Sequence, residues 1–172
     1  MSEPSSLQAL LEQARREITD PAAGLPDPVF RFVLQMTPMI NVDLLVRNER
    51  GEHLLSWRAD AYDEGWHVPG GIIRVNEPIP SRISAVAREE LSAEVTHPEQ
   101  PQDVHQFFHR RGHFISLLFL CRLASPVSDP ALWHSEGKPR HGQIRWIAGV
   151  PADLYKVHAV YADWLNGKAD AG

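Results

Sequence analysis

Apolar residues recur at helical spacing near the start of the chain. They predict a helix over residues 7–18, and its apolar positions are Leu7, Leu10, Leu11, Ala14 and Ile18. Ser5 or Ser6 would cap the start of this helix, and the Asp20-Pro21 pair would end it. A loop rich in proline and glycine follows, so the helix is an appendage. We expect it to pack on the core rather than to form a dimer contact.

Alternating and continuous apolar runs predict the strands of a domain that begins near Val29. Strands are expected at 41–46, 53–58, 66–73, 104–108, 114–121 and 143–147. The first two flank a polar turn that contains Gly51, which is typical of a β-hairpin. Residues 69–71 (Pro-Gly-Gly) interrupt the third strand, because glycine allows backbone angles and close contacts that other residues do not. The run 114–121 is almost entirely apolar and predicts a buried strand.

Two helices complete the predicted domain. Residues 78–93 have helical spacing, and Pro78 and Pro80 are tolerated only in a first turn, which fixes where this helix starts. Pro151 opens a last helix over residues 152–165. The order of strands, helix, strands and helix predicts an α+β fold, in which a mixed β-sheet is sandwiched between helices.

Composition limits the size of the core and the kind of partner. With 172 residues, 43% of them apolar, the chain can bury one sizeable core. We divide it into an N-terminal helical extension with its loop (1–28) and one domain (29–172). Its 17 basic and 22 acidic residues give a net charge of −5. This charge argues against a nucleic-acid or anionic-membrane surface, but not against a small anionic ligand.

The sequence also indicates a compartment. The single cysteine, Cys121, excludes an intramolecular disulfide framework and fits a reducing environment. The polar first residues do not resemble a signal peptide, and no apolar run approaches the roughly 18 residues of a membrane span. We therefore expect a soluble cytoplasmic protein.

Two acidic residues on the helix predicted at 78–93 point to chemistry. On a helical wheel at about 100° per residue, Glu90 lies about 20° from Ile83, in the middle of the apolar stripe, and Glu89 flanks that stripe. A carboxylate on a buried face is unfavourable unless a cation or hydrogen-bond donors neutralise it. The glycine turn at 70–71 offers bare carbonyl oxygens, so the set suits Mg²⁺ or Mn²⁺. The alternative is a solvated acidic pair.

The segment from the glycine turn through this helix resembles the Nudix box, the loop–helix motif of Nudix hydrolases. In that family a glycine, five residues, a glutamate, seven residues, an Arg-Glu pair and then a Glu-Glu pair mark the metal and diphosphate site. Without a gap, the glycine and the glutamates of the box match Gly71, Glu77, Glu89 and Glu90. Ala85 and Val86 stand at the Arg-Glu positions, and Ser92 stands at the closing glycine. One usual carboxylate ligand is therefore missing, which implies one metal ion rather than two or three.

A more extensive resemblance covers residues 37–148. The stretches 37–58, 65–77 and 141–146 are similar to the GDP-mannose mannosyl hydrolases, an atypical Nudix branch that also departs from the Arg-Glu pattern. That branch breaks the glycosyl carbon–oxygen bond rather than the phosphoanhydride. The resemblance therefore implies hydrolysis of a GDP-mannose-like nucleoside-diphosphate sugar, by attack of water on the anomeric carbon.

The resemblance also implies the metal ligands and the base. Glu90 would bind the metal ion, Gly71 would add its backbone carbonyl oxygen, and Glu89 would be a second or water-mediated ligand. His141 matches the histidine that the branch uses as general base on the attacking water, a role that suits histidine because it titrates near neutral pH.

Further residues are assigned to the substrate in the same way. Asp43 matches an aspartate near the sugar, and Arg58 matches an arginine that neutralises charge on the departing diphosphate. Ile72 and Arg140 stand where the branch has an arginine and a metal-holding glutamine. Arg140 can instead clamp a phosphate with two hydrogen bonds. Arg110, in a basic turn, is another candidate contact to ligand phosphate or sugar.

Two other functions stay open on the same residues. An ordinary Nudix pyrophosphatase would cleave a nucleoside diphosphate derivative at phosphorus, although the missing Arg-Glu pair disfavours this. A catalytically degenerate Nudix domain would bind a nucleotide without turnover, because Ala85, Val86 and Ile72 are apolar. The resemblance implies Mg²⁺ (or Mn²⁺), a nucleotide-sugar substrate and a homodimer, and no nucleic-acid or membrane partner is expected.

Overall fold

The structure is a computed structural model that describes residues 6–167. Its helices are α1 (Ser6–Glu17), α2 (Asp27–Met36), α3 (Ile79–Leu91) and α4 (Ala162–Leu165), with 3₁₀ helices at Pro130–Leu132 and Lys156–Tyr161. Its strands are β1 (Met39–Val46), β2 (His53–Ala59), β3 (Glu64–His67), β4 (Gly70–Ile72), β5 (Val95–Thr96), β6 (Asp103–His109), β7 (Gly112–Leu123) and β8 (Ile144–Ile147). Sheets flanked by helices confirm the predicted α+β class.

The strands form two sheets that share a core. In the larger sheet the order is β4-β1-β7-β5, and β6 also pairs with β7. The sheet is mixed, since β1 runs parallel to β7, from Met39 opposite Phe114 to Val46 opposite Cys121, and antiparallel to β4. The smaller sheet is antiparallel, with the order β3-β2-β8.

The first two strands do not form the predicted hairpin. A single bridge between Arg47 and His53 joins the end of β1 to the start of β2. Away from this bridge, β1 lies in the larger sheet and β2 in the smaller one. β1 is hydrogen-bonded to β4 and β7, and β2 to β3 and β8, so the two strands belong to different sheets. The two strands and the turn were correctly predicted, but their pairing was wrong.

Helix α3 confirms the predicted apolar stripe. Its buried apolar side chains pack in one core with those of β1 and β7, and they are Ile83, Val86, Ala87 and Leu91. Pro78 caps the start with an extended backbone, and Pro80 lies in the first turn, as predicted. The helix ends at Ser92, whose φ of 47° lies in the left-handed region.

Helix α2 is absent from the sequence prediction, which reads its start as part of a loop. Pro28 lies in its first turn, where proline is tolerated, so the residue that looked like a loop signal helps to start a helix. Leu34 is buried, and Phe30 and Val33 pack on a small apolar cluster that includes Met39. The helix therefore belongs to the folded domain.

Helix α1 forms where predicted, but it does not pack on the core. None of its side chains is buried, and Leu7, Leu10 and Leu11 are 64%, 63% and 54% exposed. The expectation of core packing is therefore wrong. Ser5, one of its two proposed caps, lies outside the described residues.

The last predicted helix is shorter and mostly of the 3₁₀ type. The 3₁₀ segment Lys156–Tyr161 leads directly into the four residues of α4. Tyr155, His158 and Tyr161 are all buried, and a 3₁₀ helix with three residues per turn places such a spacing on one face. The burial of these three side chains on one face explains why the segment forms a 3₁₀ helix rather than the predicted α-helix. Within residues 6–167, no helix has the length and apolar character needed to cross a membrane.

Candidate functional site

A cavity of about 490 Å³ opens over one face of β1, and it has the size of a small-molecule site. Successive side chains of a strand alternate between its faces, so Met39, Asn41 and Asp43 lie in a row along the floor. The glycine turn, with Gly70 and Gly71, borders the cavity at the Asp43 end. The cavity therefore joins the turn of the predicted metal site to the strand aspartate.

Asp43 is buried and held by two hydroxyl groups. Its Oδ2 accepts a hydrogen bond from Ser116 Oγ at 2.5 Å and another from the Tyr161 hydroxyl. Its Oδ1 faces Gly70, where a Cβ atom would lie only 1.8 Å from this oxygen. Burial raises the pKa of the Asp43 carboxyl above its ordinary value, although both hydrogen bonds act in the other direction. Such a carboxyl is suited to proton transfer nearer neutral pH.

Glu90 lies beside the cavity and is paired with a histidine. Its Oε2 is 3.0 Å from His67 Nε2, and the Gly70 N–H donates to Oε1 at a longer 3.4 Å. His67 Nδ1 lies 2.7 Å from the carbonyl oxygen of Ser56. Because that oxygen can only accept a hydrogen bond, Nδ1 is the donor. The contact between Nε2 and the Glu90 carboxylate then needs a further proton, which the two side chains share. Burial by itself would raise the Glu90 pKa, but the attraction and hydrogen bond of His67 leave that pKa lowered.

The other glutamates of the motif have different surroundings. Glu77 accepts two hydrogen bonds from the buried Arg82, at 2.8 and 2.9 Å, and one from the Arg74 N–H. The hydrogen bonds of Arg82 lower the Glu77 pKa, and this pair ties the loop before α3 to the helix. The Glu89 side chain is 60% exposed, and its Oε2 lies 3.7 Å from Arg82 Nη1.

Val86 stands at a position where the resemblance would place a carboxylate, and it packs against the glycine turn. A Cβ atom at Gly71 would lie 2.9 Å from Val86 Cγ2, so the helix and the glycine turn are in close contact at this point. Val86 is buried there, and the position contributes packing rather than a carboxylate.

The donor set tests whether a divalent cation fits. Among the residues that the structure describes, no group of three or more His, Cys, Asp or Glu side chains could hold a metal ion. Mg²⁺, however, is commonly held by one or two carboxylates together with substrate phosphates and waters. Glu90 suits such a site, because Oε2 faces His67 while Oε1 has only its long contact to Gly70. A divalent ion at Glu90 would therefore need further ligands from a substrate or from water.

Two arginines line the cavity without an anionic partner. Within the described part of the chain, the guanidinium groups of Arg58 and Arg111 make neither an ion pair nor a hydrogen bond. The Arg58 guanidinium group lies 5.9 Å from the centre of the Tyr155 ring. Unpaired guanidinium groups in a cavity are suited to bind phosphate oxygens. The sequence analysis correctly predicted that Arg58 belongs to the site. It also proposed Arg110 as a ligand contact, but Arg110 is exposed and does not line the cavity. Its neighbours His109 and Arg111 line the cavity instead.

The loop before β8 carries His141 and Arg140, and neither lines the cavity. His141 is exposed, and its Nδ1 accepts a hydrogen bond from the Ala59 N–H at 3.2 Å, next to Arg58 in β2. Arg140 is also exposed and donates its backbone N–H to Gln143. The structure therefore brings together Asp43, Arg58, Gly71 and Glu90, and places His141 and Arg140 at the adjacent end of β2.

Sequence reasoning missed two histidines of the site. His67 interrupts an apolar strand, and this unusual position was the available signal. His158 lines the cavity from the 3₁₀ segment, and its Nδ1 accepts a hydrogen bond from the Val68 N–H at 3.0 Å. Burial, and then the nearby His67, lower the His158 pKa well below its ordinary value, so this ring is neutral at neutral pH.

Solved structures identify the class to which this fold belongs. A possible asymmetric diadenosine tetraphosphate hydrolase from Jonesia denitrificans has a TM-score of 0.62 at 17% identity, covering 79% of this chain and 97% of that one. A MutT Nudix hydrolase from Burkholderia pseudomallei has a TM-score of 0.56 at 19% identity, covering 74% and 97%. A UDP-X diphosphatase has a TM-score of 0.57 at 18% identity, covering 95% and 78%. The chain therefore has the fold of Nudix hydrolases.

A comparison of sequences finds a relative over part of the chain. The low-salt glycan biosynthesis protein Agl8 of Haloferax volcanii is 35% identical over 83 residues, which are 48% of this chain and 53% of that protein. The chain thus spans about half the length of this curated relative. No protein-family profile matches the chain.

Proposed function

We propose that this protein is a divalent-cation-dependent hydrolase of a nucleoside-diphosphate sugar, GDP-mannose-like in class. The observation that carries the proposal is one cavity in which two unpaired guanidinium groups, of Arg58 and Arg111, accompany the buried carboxyl of Asp43. The guanidinium groups suit a diphosphate, and the carboxyl suits proton transfer at a neighbouring atom. The names of two fold neighbours refer to nucleotide derivatives, and the name of Agl8 refers to glycan biosynthesis.

The cation of the proposed site is Mg²⁺, with Mn²⁺ as a substitute. Glu90 would hold it together with the carbonyl oxygen of Gly71, and Glu89 would be a second or water-mediated ligand. When bound, the cation neutralises charge on the phosphates of the leaving group. His67 orients the Glu90 carboxylate through Oε2, so that Oε1 can turn to the cation.

The proposed reaction breaks the bond between the anomeric carbon and the phosphate oxygen. Water attacks that carbon, the diphosphate leaves with the bonding electron pair, and Arg58 and Arg111 stabilise its growing charge. The proton of the water passes to a base. The glycine at position 70 leaves room for the Asp43 carboxyl, because a Cβ atom there would lie 1.8 Å from Oδ1.

Two residues are candidates for the base. His141 is the one implied by the resemblance, and its Nδ1 already accepts the Ala59 N–H, so in the neutral ring Nε2 carries the hydrogen. Asp43 lines the cavity, and burial raises the pKa of its carboxyl. If Asp43 is the base, Asp43→Asn abolishes turnover while His141→Gln keeps most of it. The reverse result assigns the base to His141.

Hydrolysis in ¹⁸O-labelled water tests the bond that breaks. Attack at carbon puts the label in the released sugar and none in the nucleoside diphosphate, as mass spectrometry of both products would show. Label in a phosphate group would refute this proposal and support a Nudix pyrophosphatase, the function that the names of the fold neighbours favour.

A third function is nucleotide binding without catalysis, and the packing of Val86 at a carboxylate position of the box favours it. Tight, Mg²⁺-dependent binding of nucleotide sugars in calorimetry, without turnover over a broad panel, would establish this function instead.

The proposed enzyme is a cytoplasmic homodimer. The exposed leucines of α1 form an apolar stripe that a second copy could cover. Light scattering should then give twice the monomer mass, and Leu10→Lys should reduce it; a wild-type monomer at micromolar concentration would exclude the dimer. Cys121 is buried, which raises the pKa of its thiol to about 12 and fits a reduced cysteine in that compartment.

A further inference from the structure

His158 presents an N–H group to the cavity. The Val68 N–H donates to His158 Nδ1 at 3.0 Å, so in the neutral ring the hydrogen is on Nε2. The residue lines the cavity, although only 5% of it is exposed. Among the described residues Nε2 makes no hydrogen bond, and it is not one of the buried atoms that lack a partner. Its N–H is therefore an accessible donor in the cavity.

Aromatic rings hold this imidazole in one orientation. Tyr155 and Tyr161 stand nearly perpendicular to it, with ring centres at 5.8 and 5.3 Å, and the Phe107 ring lies at 6.4 Å. These contacts and the hydrogen bond from the backbone leave the ring little freedom to turn. Such a preorganised donor needs no rearrangement when an oxygen atom binds.

The surroundings of His158 also keep the ring uncharged. Burial lowers its pKa, and His67 on β3, Arg58 on β2 and His109 on β6 lower it further. The Asp43 carboxyl bonds to two hydroxyl groups and not to this ring. The ring therefore stays a neutral hydrogen-bond donor at neutral pH.

Two tyrosines connect His158 to the groups proposed for the sugar and for the diphosphate. The ring of His158 contacts Tyr161, whose hydroxyl donates to Asp43. It also contacts the Tyr155 ring, whose centre lies 5.9 Å from the Arg58 guanidinium group. With the sugar near Asp43 and the diphosphate near Arg58, the oxygen that joins them lies between these two residues, on the side where His158 lines the cavity.

We infer that His158 is a catalytic residue, whose Nε2–H donates a hydrogen bond to the oxygen that leaves with the nucleoside diphosphate. When the bond from the anomeric carbon to this oxygen breaks, the electron pair stays on the oxygen, and its growing negative charge faces the N–H. The proton stays on Nε2, so the ring is neutral before and after the step. This inference rests on the proposed function, because it takes that oxygen as the leaving atom.

Two substitutions separate the donor from the structural role of the ring. In His158→Asn the amide oxygen can replace Nδ1 as the acceptor for the Val68 N–H, but the side chain is too short to place a donor at the position of Nε2. The longer side chain in His158→Gln can place an amide N–H there. We expect kcat to fall roughly 100-fold in His158→Asn, with little change in KM, and to recover about 10-fold in His158→Gln. Equal losses in the two variants, or a higher kcat in His158→Asn, would overturn the inference.

His105→Asn is the matched control. His105 packs on the same Tyr161 ring, at 4.9 Å, but it does not line the cavity, so this variant should keep wild-type kinetics. The ratio of wild-type kcat to that of His158→Asn should be equal at pH 6 and pH 8, because a neutral donor does not titrate in this range. A much larger ratio at pH 6 would show that a protonated His158 acts as an acid, and would overturn the neutral donor.

Imidazole ¹⁵N NMR spectra of the wild type test the hydrogen bond without turnover. His158 should have a protonated Nε2 and a bare Nδ1 from pH 6 to pH 8. Saturation with GDP or UDP and Mg²⁺ should shift the Nε2–H proton downfield, because the terminal phosphate of each carries the oxygen that left the sugar. An unchanged signal with both nucleotides would overturn the inference.

The ¹⁸O experiment separates failure of this inference from failure of the proposed function. If the label enters a phosphate group, the proposed function is overturned, and the role of His158 with it. If the label enters the sugar and His158→Asn has the kcat of the wild type, only the role of His158 is overturned.

Discussion

Replacing Arg58 should weaken binding of the diphosphate and leave the fold nearly unchanged. Arg58→Met removes a guanidinium group that has no anionic partner within the described residues, and methionine keeps much of the apolar stem. The lost contact with the Tyr155 ring, at 5.9 Å, contributes about 0.5–1 kcal/mol. For a domain of this size that corresponds to a decrease of about 1–4 °C in the melting temperature.

The effect on the ligand should be much larger. One hydrogen bond between a charged donor and a phosphate contributes about 1.5–3 kcal/mol, or about 10- to 150-fold in Kd. Calorimetric titration with a nucleoside diphosphate in the presence of Mg²⁺ measures that ratio directly. The melting temperature of the same samples, without ligand, reports the effect on the fold.

Arg82→Met is the matched control, because Arg82 is also an arginine at the cavity but forms a buried pair with Glu77. Breaking that pair should destabilise the fold by about 3 kcal/mol, or about 6–12 °C. The reasoning would be refuted if Arg58→Met lowered the melting temperature as much as Arg82→Met. An unchanged Kd for the nucleoside diphosphate would equally refute the role of Arg58.

Three further substitutions test the rest of the site and the core. Glu90→Gln should lower turnover on the order of 100-fold or more, because an amide holds a cation poorly. The circular dichroism spectrum should not change, because the amide can still bond to His67. Activity within a few-fold of wild type would disprove the metal assignment. Gly70→Ala should destabilise the fold by about 2 kcal/mol in urea unfolding, since its Cβ would lie 1.8 Å from Asp43 Oδ1; an unchanged midpoint would show that this contact relaxes freely. Burial lowers the pKa of His53 from 6.5 to about 4. As the pH falls, the unfolded chain therefore binds a proton at His53 before the folded chain does. The free energy of unfolding should decrease as the pH falls from about 6.5 towards 4. His53→Leu should make that decrease smaller in melting curves at pH 7 and pH 5, and parallel pH profiles for the two proteins would contradict it.

Local patterns predicted the parts of the fold and the site that local physics determines. The spacing of Ile83 and Val86 gives the buried face of α3. It also turned Glu90 inwards, where the partly buried carboxylate meets His67. Residues 37–58 carried the resemblance that selects Asp43 and Arg58, and both line the cavity.

The remaining features depend on contacts that are distant in sequence. The partner of β1 is β7 rather than β2, because a strand with two buried faces can pair with any strand of the sheet, and the turn at Gly51 does not decide this. The choice between Arg110 and Arg111 depends on which residue of the β6–β7 turn faces the cavity. His67 became a site residue only when β3 placed it opposite Glu90 on α3.

The pairing of β1 with β7 also sets the order in which the site can form. Met39 and Phe114 are opposite each other although 75 positions separate them in the chain, and pairing at such separation is slow. Ser116 and Tyr161, the two groups that hold Asp43, follow it by 73 and 118 positions. On the ribosome, Asp43 therefore leaves the exit tunnel long before its hydroxyl partners are made. The aspartate acquires its burial, and with it its raised pKa, only after Tyr161 has been synthesised.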